Sequence, residues 1–128
     1  MITNFSEQTH ELNKYELEVL QPIIVQGLKN KIGKDKAVTN KHICKALKSF
    51  GHKITDSRLR KIIHNIRAND LVPLLIATSK GYYVSNDTQE VQEYITSLQE
   101  RANSILFIKN CLQKQLTVKG SHQIQFNI

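Results

Sequence analysis

The chain has 128 residues, 40% of them hydrophobic, and a formal net charge of +7 at pH 7. That length suits one compact domain with an extension, and the apolar fraction supports only a modest core. No apolar run approaches the roughly 20 residues that span a bilayer, and the first ten residues lack a charged-then-apolar leader pattern. The expectation is a soluble, cytoplasmic protein with no membrane partner. Cys44 and Cys111 stand far apart in no metal-ligand spacing, which fits a reducing compartment and no metal site.

The positive charge is unevenly placed. Residues 1–30 carry Lys14 and Lys29 against Glu7, Glu11, Glu16 and Glu18. Residues 39–83 carry nine basic residues against Asp56 and Asp70, and residues 84–128 are balanced. A polyanion is the natural partner of such a segment; a basic surface that only aids solubility is the weaker reading.

In chain order, residues 1–12 read as a polar lead. Asn13 and Glu16 have the spacing of a capping box, in which Asn13 caps and Glu16 reaches back. Tyr15, Leu17, Leu20, Ile24 and Leu28 then form a helical stripe interrupted by Pro22, which removes a backbone donor. Either one kinked helix covers residues 14–31 or a short turn precedes a helix starting at Pro22; the continuous stripe favours the first. Gly33 ends it, and Ala37-Val38 reads as a short apolar step able to form one β-bridge.

Thr39 is positioned to cap a helix over residues 40–50, with Ile43, Cys44, Leu47 and Phe50 on its apolar side and Gly51 as its left-handed stop. Thr55 or Asp56 caps the next helix, residues 56–69. There Leu59, Ile62, Ile63 and Ile66 share one face at i, i+3, i+4 and i+7. The opposite face carries Ser57, Lys61, His64 and Ala68 with Arg60 on its flank, while Arg58 and Asn65 lie on the other flank. Strands over residues 74–78 and 82–84 follow, joined by a three-residue turn, Ser79-Lys80-Gly81, with glycine at the positive-φ position. Tyr82 and Tyr83 must alternate, one facing the core.

Thr88 begins a long helix. Val91, Ile95, Leu98, Ala102, Ile105, Lys109, Leu112 and Leu116 alternate at steps of four and three, a heptad seam with one polar interruption. Carried to Leu116, the helix runs roughly 40 Å, more than a domain this small can cover, so a homodimer seam is expected. Residues 117–128 alternate at Ile124, Phe126 and Ile128 without specifying a structure.

The blocks VTNKHICKALKSFG, ITDSRLRKIIHNIRAND and LIATSKGYYV together resemble the winged helix-turn-helix domain of the bacterial and phage type. The Gly81-Tyr82-Tyr83 wing ending is the most specific element. The resemblance covers about half the chain. It implies a mainly α fold with a small β-hairpin over residues 13–86; the long C-terminal helix, residues 87–116, is a departure from the minimal fold, and its role is not carried over. It also implies double-stranded DNA as partner. Ser57, Arg58, Lys61, His64 and Asn65 would face base edges; Thr39, Asn40, Lys41, Thr55 and Arg60 would meet phosphates; Lys80 would sit on the wing. The role implied is a transcriptional regulator or an accessory factor of a phage or other mobile element.

Catalysis is not expected. The acids are scattered, no His or Cys joins them at ligand spacing, and no glycine-rich phosphate loop is present. No cofactor and no small-molecule ligand is implied. The alternative is a protein-interaction module that uses the same frame as a scaffold and the long helix as its contact.

Overall fold

The computed structural model describes residues 11–119. The polar lead through residue 10 and the alternating residues 120–128 lie outside the described residues. The chain divides into two units, Met1–Val91 and Gln92–Ile128, which are described separately. The architecture is mainly helical with one two-stranded antiparallel hairpin and a long C-terminal helix.

The first unit opens on the capping box. Glu16 N–H donates to Asn13 Oδ1 at 2.8 Å, and Asn13 N–H donates to Glu16 Oε1 at 2.9 Å. The chain then makes a π-helical turn, Glu16–Leu20, and runs on as α1, Gln21–Lys29. The π-turn is the local answer to Pro22. Proline has no N–H and its ring crowds the carbonyl four residues back, so the ladder widens here, with Gln21 N–H reaching Glu16 O. The helix is continuous across Pro22, as the stripe implied. Its buried side is nevertheless Glu16, Leu20, Ile24 and Leu28, whereas Tyr15 and Leu17, expected on the stripe, are exposed.

Helix α2, Asn40–Ser49, is capped by Thr39, whose Oγ1 accepts from His42 N–H at 3.1 Å. It ends in a Schellman arrangement: Gly51 N–H bonds Lys48 O at 3.0 Å and His52 N–H bonds Leu47 O at 2.9 Å, with Gly51 at φ +86. Phe50, expected in the core, is 82% exposed, because the helix has already ended there and the chain turns away.

Helix α3, Asp56–Ala68, is capped by Thr55 Oγ1, which accepts from Arg58 N–H at 3.2 Å. Its end repeats the Schellman pattern with Asp70 at φ +56 and Leu71 N–H on Ile66 O at 3.0 Å. Leu59, Ile62, Ile63 and Ile66 are all buried, as the spacing required. They meet Leu20 of the π-turn, Ile24 and Leu28 of α1, Leu47 of α2, and Val72 and Leu75. Complete burial of each such side chain contributes about 1.5–3 kcal/mol, so this face is the main source of cohesion.

The hairpin pairs β1, Leu75–Thr78, with β2, Gly81–Val84. Leu74, expected as the first strand residue, has φ +59 and stands outside the strand. The turn is a two-residue one, because Gly81 already pairs with Thr78; the expected three-residue turn is one too long. Glycine is required there on two counts: φ is +118, and a Cβ would lie 2.2 Å from Val38 O. That proximity arises because Val38 bridges Tyr82, giving the short apolar step its pairing, while Ile32 bridges Val84. Tyr83 is the buried member of the tyrosine pair.

The last helix, α4, Thr88–Val118, spans 31 residues, about 46 Å at 1.5 Å per residue. Asp87 Oδ1 accepts from Gln89 N–H at 3.0 Å at its start. Ser85 Oγ donates to Glu90 Oε1 at 2.5 Å and accepts Asp87 N–H at 3.2 Å. No residue of α4 is buried, and Ile105, Leu106, Phe107 and Ile108 are all more than half exposed. No helix among the described residues is long and apolar enough to cross a membrane.

Candidate nucleic-acid interface

The outer side of α3 is a narrow basic ridge. Arg60, His64 and Arg67 follow at i, i+4 and i+7, within about 60° of one another on the helical wheel, and all three are exposed. Lys61 is half-buried beside them. Because the inner side of the same helix is locked into the core, these side chains are presented by a rigid support. Arg67 lies outside the expected set, whose outer face centres on Ser57, Lys61 and His64; its seven-residue step from Arg60 is the signal in the sequence.

Three residues expected at base edges are engaged elsewhere. Ser57 is 3% exposed, because the first turn of α3 lies against α2, where Cys44 Sγ donates to Asp56 Oδ1 at 3.4 Å. Arg58 turns inward: its Nε donates to Glu16 Oε2 at 2.8 Å, and its Nη2 bonds Glu16 Oε1 at 2.5 Å and Glu11 O at 3.0 Å. Asn65 is half-buried, donating to Gln21 Oε1 at 2.7 Å and accepting from Asn69 Nδ2 at 2.9 Å. All three hold the helix in place.

The residues expected at phosphates divide similarly. Thr39 and Thr55 have their hydroxyls on the backbone N–H groups they cap. Asn40 accepts the Tyr82 hydroxyl at 2.6 Å, tying the start of α2 to β2. Arg60, Lys41 and Lys80 are exposed, Lys80 in the hairpin turn. Lys41, Lys45 and Lys48 continue along α2 at i, i+4 and i+7, and with Lys53 they line a cleft of about 690 Å³ shared with Tyr15 and Glu16. Lys45, Lys48 and Lys53 were not among the expected residues; their helical spacing was visible in the sequence.

The titrating groups reflect these surroundings. Burial raises the pKa of the Tyr82 phenol, against the Asn40 hydrogen bond and the positive charges of Arg60 and Arg67. Burial, then the Asp56 hydrogen bond, push the Cys44 thiol up to about 11. Arg58 holds the Glu16 carboxyl below the ordinary range. Among the described residues, no group of three His, Cys, Asp or Glu side chains could hold a metal ion. No protein-family model, curated protein or solved structure matches the chain.

Proposed function

We propose that residues 13–86 form a winged helix-turn-helix domain that binds double-stranded DNA. In this reading α3 enters the major groove and the hairpin acts as the wing. The observation that carries it is the ridge of Arg60, His64 and Arg67, exposed on a helix whose other side is core, within the segment that holds the positive excess. Arginine can pair bidentately with guanine and with phosphate. Lys61 extends the ridge, while Lys41 and Lys80 offer phosphate contacts from α2 and the wing. Arg58 supports the reading helix from behind. The role that follows is a transcriptional regulator or an accessory factor of a phage or other mobile element. A cytoplasmic location goes with it, and Cys44 and Cys111 are both free thiols.

We also read residues 87–116 as a homodimer seam, since Ile95, Leu98, Ile105, Leu112 and Leu116 are exposed at heptad spacing. The same exposure favours a second reading, a protein-interaction module that works through α4.

The test is fluorescence anisotropy with mixed-sequence duplex DNA over a salt series, for wild type and Arg60→Ala/Arg67→Ala, with circular dichroism to establish that both are folded. The expectation is steeply salt-dependent binding, weakened about tenfold or more in the variant. Absence of duplex binding at low salt, or equal binding by the folded variant, overturns the DNA reading and leaves the interaction module.

A further inference from the structure

Helix α4 is charged asymmetrically along its length. Asp87 just before it, and Glu90, Glu93 and Glu100 within it up to residue 103, stand against the single base Arg101. From 104 onward Lys109 and Lys114 in the helix and Lys119 just after it stand with no acid. An exposed apolar seam runs through both halves. We propose that this helix pairs with a second copy of itself in the antiparallel sense; the inference rests on the dimer reading above and adds its orientation.

Three features point the same way. First, antiparallel pairing lays the acidic half of each helix along the basic half of the other, whereas parallel pairing sets like charges side by side within a screening length of about 10 Å. The opposed helix dipoles add to the preference.

Second, Lys109 occupies a seam position. In a parallel pair the two Lys109 ammonium groups meet in one apolar layer. In an antiparallel pair centred between Ala102 and Ile105, each Lys109 instead faces Leu98 of the other copy. Its stem lies on the leucine and its charge reaches solvent beside the acidic half.

Third, the same centring matches sizes. Ala102 faces Ile105, a small side chain against a large one, and Ile95 faces Leu112. A parallel pair stacks Ala102 on Ala102 and leaves the layer underfilled. In the antiparallel pair every seam residue from Val91 to Leu116 finds its counterpart without a shift of register.

The experiment uses the full chain with Cys44→Ser/Cys111→Ser as background. Ile95→Cys and Leu112→Cys variants are treated with a short bismaleimide, each alone and after mixing with subunit exchange, with light scattering in parallel. Residue 95 lies about 25 Å along the helix from its own counterpart in the antiparallel pair, beyond the linker's reach. The expected result is a crosslinked dimer only in the mixture. Crosslinking of each variant alone means parallel helices and overturns the orientation while the dimer stands. Dimer mass without any crosslink overturns this seam as the interface. A monomer mass overturns orientation and dimer together. The DNA titration is read independently of all four.

Discussion

Glu16 and Arg58 pair directly although they stand 42 residues apart in sequence, with Arg58 Nε 2.8 Å from Glu16 Oε2. The same carboxylate closes the capping box at Asn13, so one side chain both starts the first helix and anchors the third. With side-chain exposures of 16% for Arg58 and 6% for Glu16, the pair is well shielded from water. Removing one partner leaves the other charge stranded. Arg58→Ala is expected to cost about 2–3 kcal/mol, near the lower end for a buried pair because Arg58 keeps some solvent contact. Urea unfolding at neutral pH measures it; a loss below about 0.5 kcal/mol would show the pair to be superficial.

The pair also sets an acid response. Arg58's hydrogen bonding, more than offsetting the burial that opposes it, lowers the Glu16 pKa, with the Asn13 N–H adding to the effect. A depressed folded-state pKa contributes stability above the unfolded value, about 4.3, which is lost as pH falls through the folded value. Wild type should therefore lose urea resistance below about pH 4 more steeply than Glu16→Gln, which starts weaker but lacks this proton. Parallel pH profiles of the two proteins would contradict the assignment.

Glycine substitutions should separate three environments. Gly81→Ala drives a Cβ into Val38 backbone and should destabilise severely, by about 3 kcal/mol or more. Gly51→Ala meets no atom within 4 Å and carries only the left-handed backbone penalty, about 1 kcal/mol. Gly27→Ala, inside α1 and also unobstructed, should stabilise by up to about 1 kcal/mol. Thermal unfolding of the three variants tests the order, and a mild Gly81→Ala would mean that the hairpin does not approach Val38 this closely.

Cys44 should be a slow thiol. A pKa of about 11 against an ordinary 9.0 leaves about a hundredfold fewer thiolates at pH 8. Iodoacetamide labelling of Cys111→Ser should be slow in the native state, fast in urea, and faster in native Asp56→Asn. Native labelling as fast as in urea would exclude the packed thiol.

No residue of helix α4 is buried, whereas most helical stability in proteins comes from packing an apolar face. Its helicity should therefore depend on concentration. If α4 pairs as proposed, dilution should lower the 222 nm ellipticity in wild type, and Leu98→Glu/Ile105→Glu should show the diluted value at every concentration. A signal independent of concentration in wild type, at monomer mass, would mean that the helix stands alone.

Local signals in the sequence were legible because they act over a few residues. The Asn13–Glu16 box, the Thr39 and Thr55 caps, the Gly51 stop, the positive φ of Gly81 and the buried row Leu59, Ile62, Ile63 and Ile66 all follow from spacing and backbone chemistry. What spacing cannot supply is which neighbour crosses a helix and where. Ser57 lies on the outer side of the wheel but in the first turn, against α2. Arg58 looks like a reading residue until an acid from a distant helix is found beside it. Of the candidate interface, Arg60, Lys61, His64, Lys41 and Lys80 remain turned to solvent in whole or part; Arg67 and the lysine row of α2 join them.

The π-turn before Pro22 has a consequence for the phase of its helix. Buried positions 16, 20, 24 and 28 are spaced by four without exception. In a regular α-helix each such step overshoots the face by about 40°, and three steps amount to about a third of a revolution. The wider turn at Glu16–Leu20 winds backwards relative to that drift and returns residue 16 to the meridian of Leu20, Ile24 and Leu28. A change of pitch thus aims a carboxylate inward from the end of an apolar row, on a bearing that leads to Arg58.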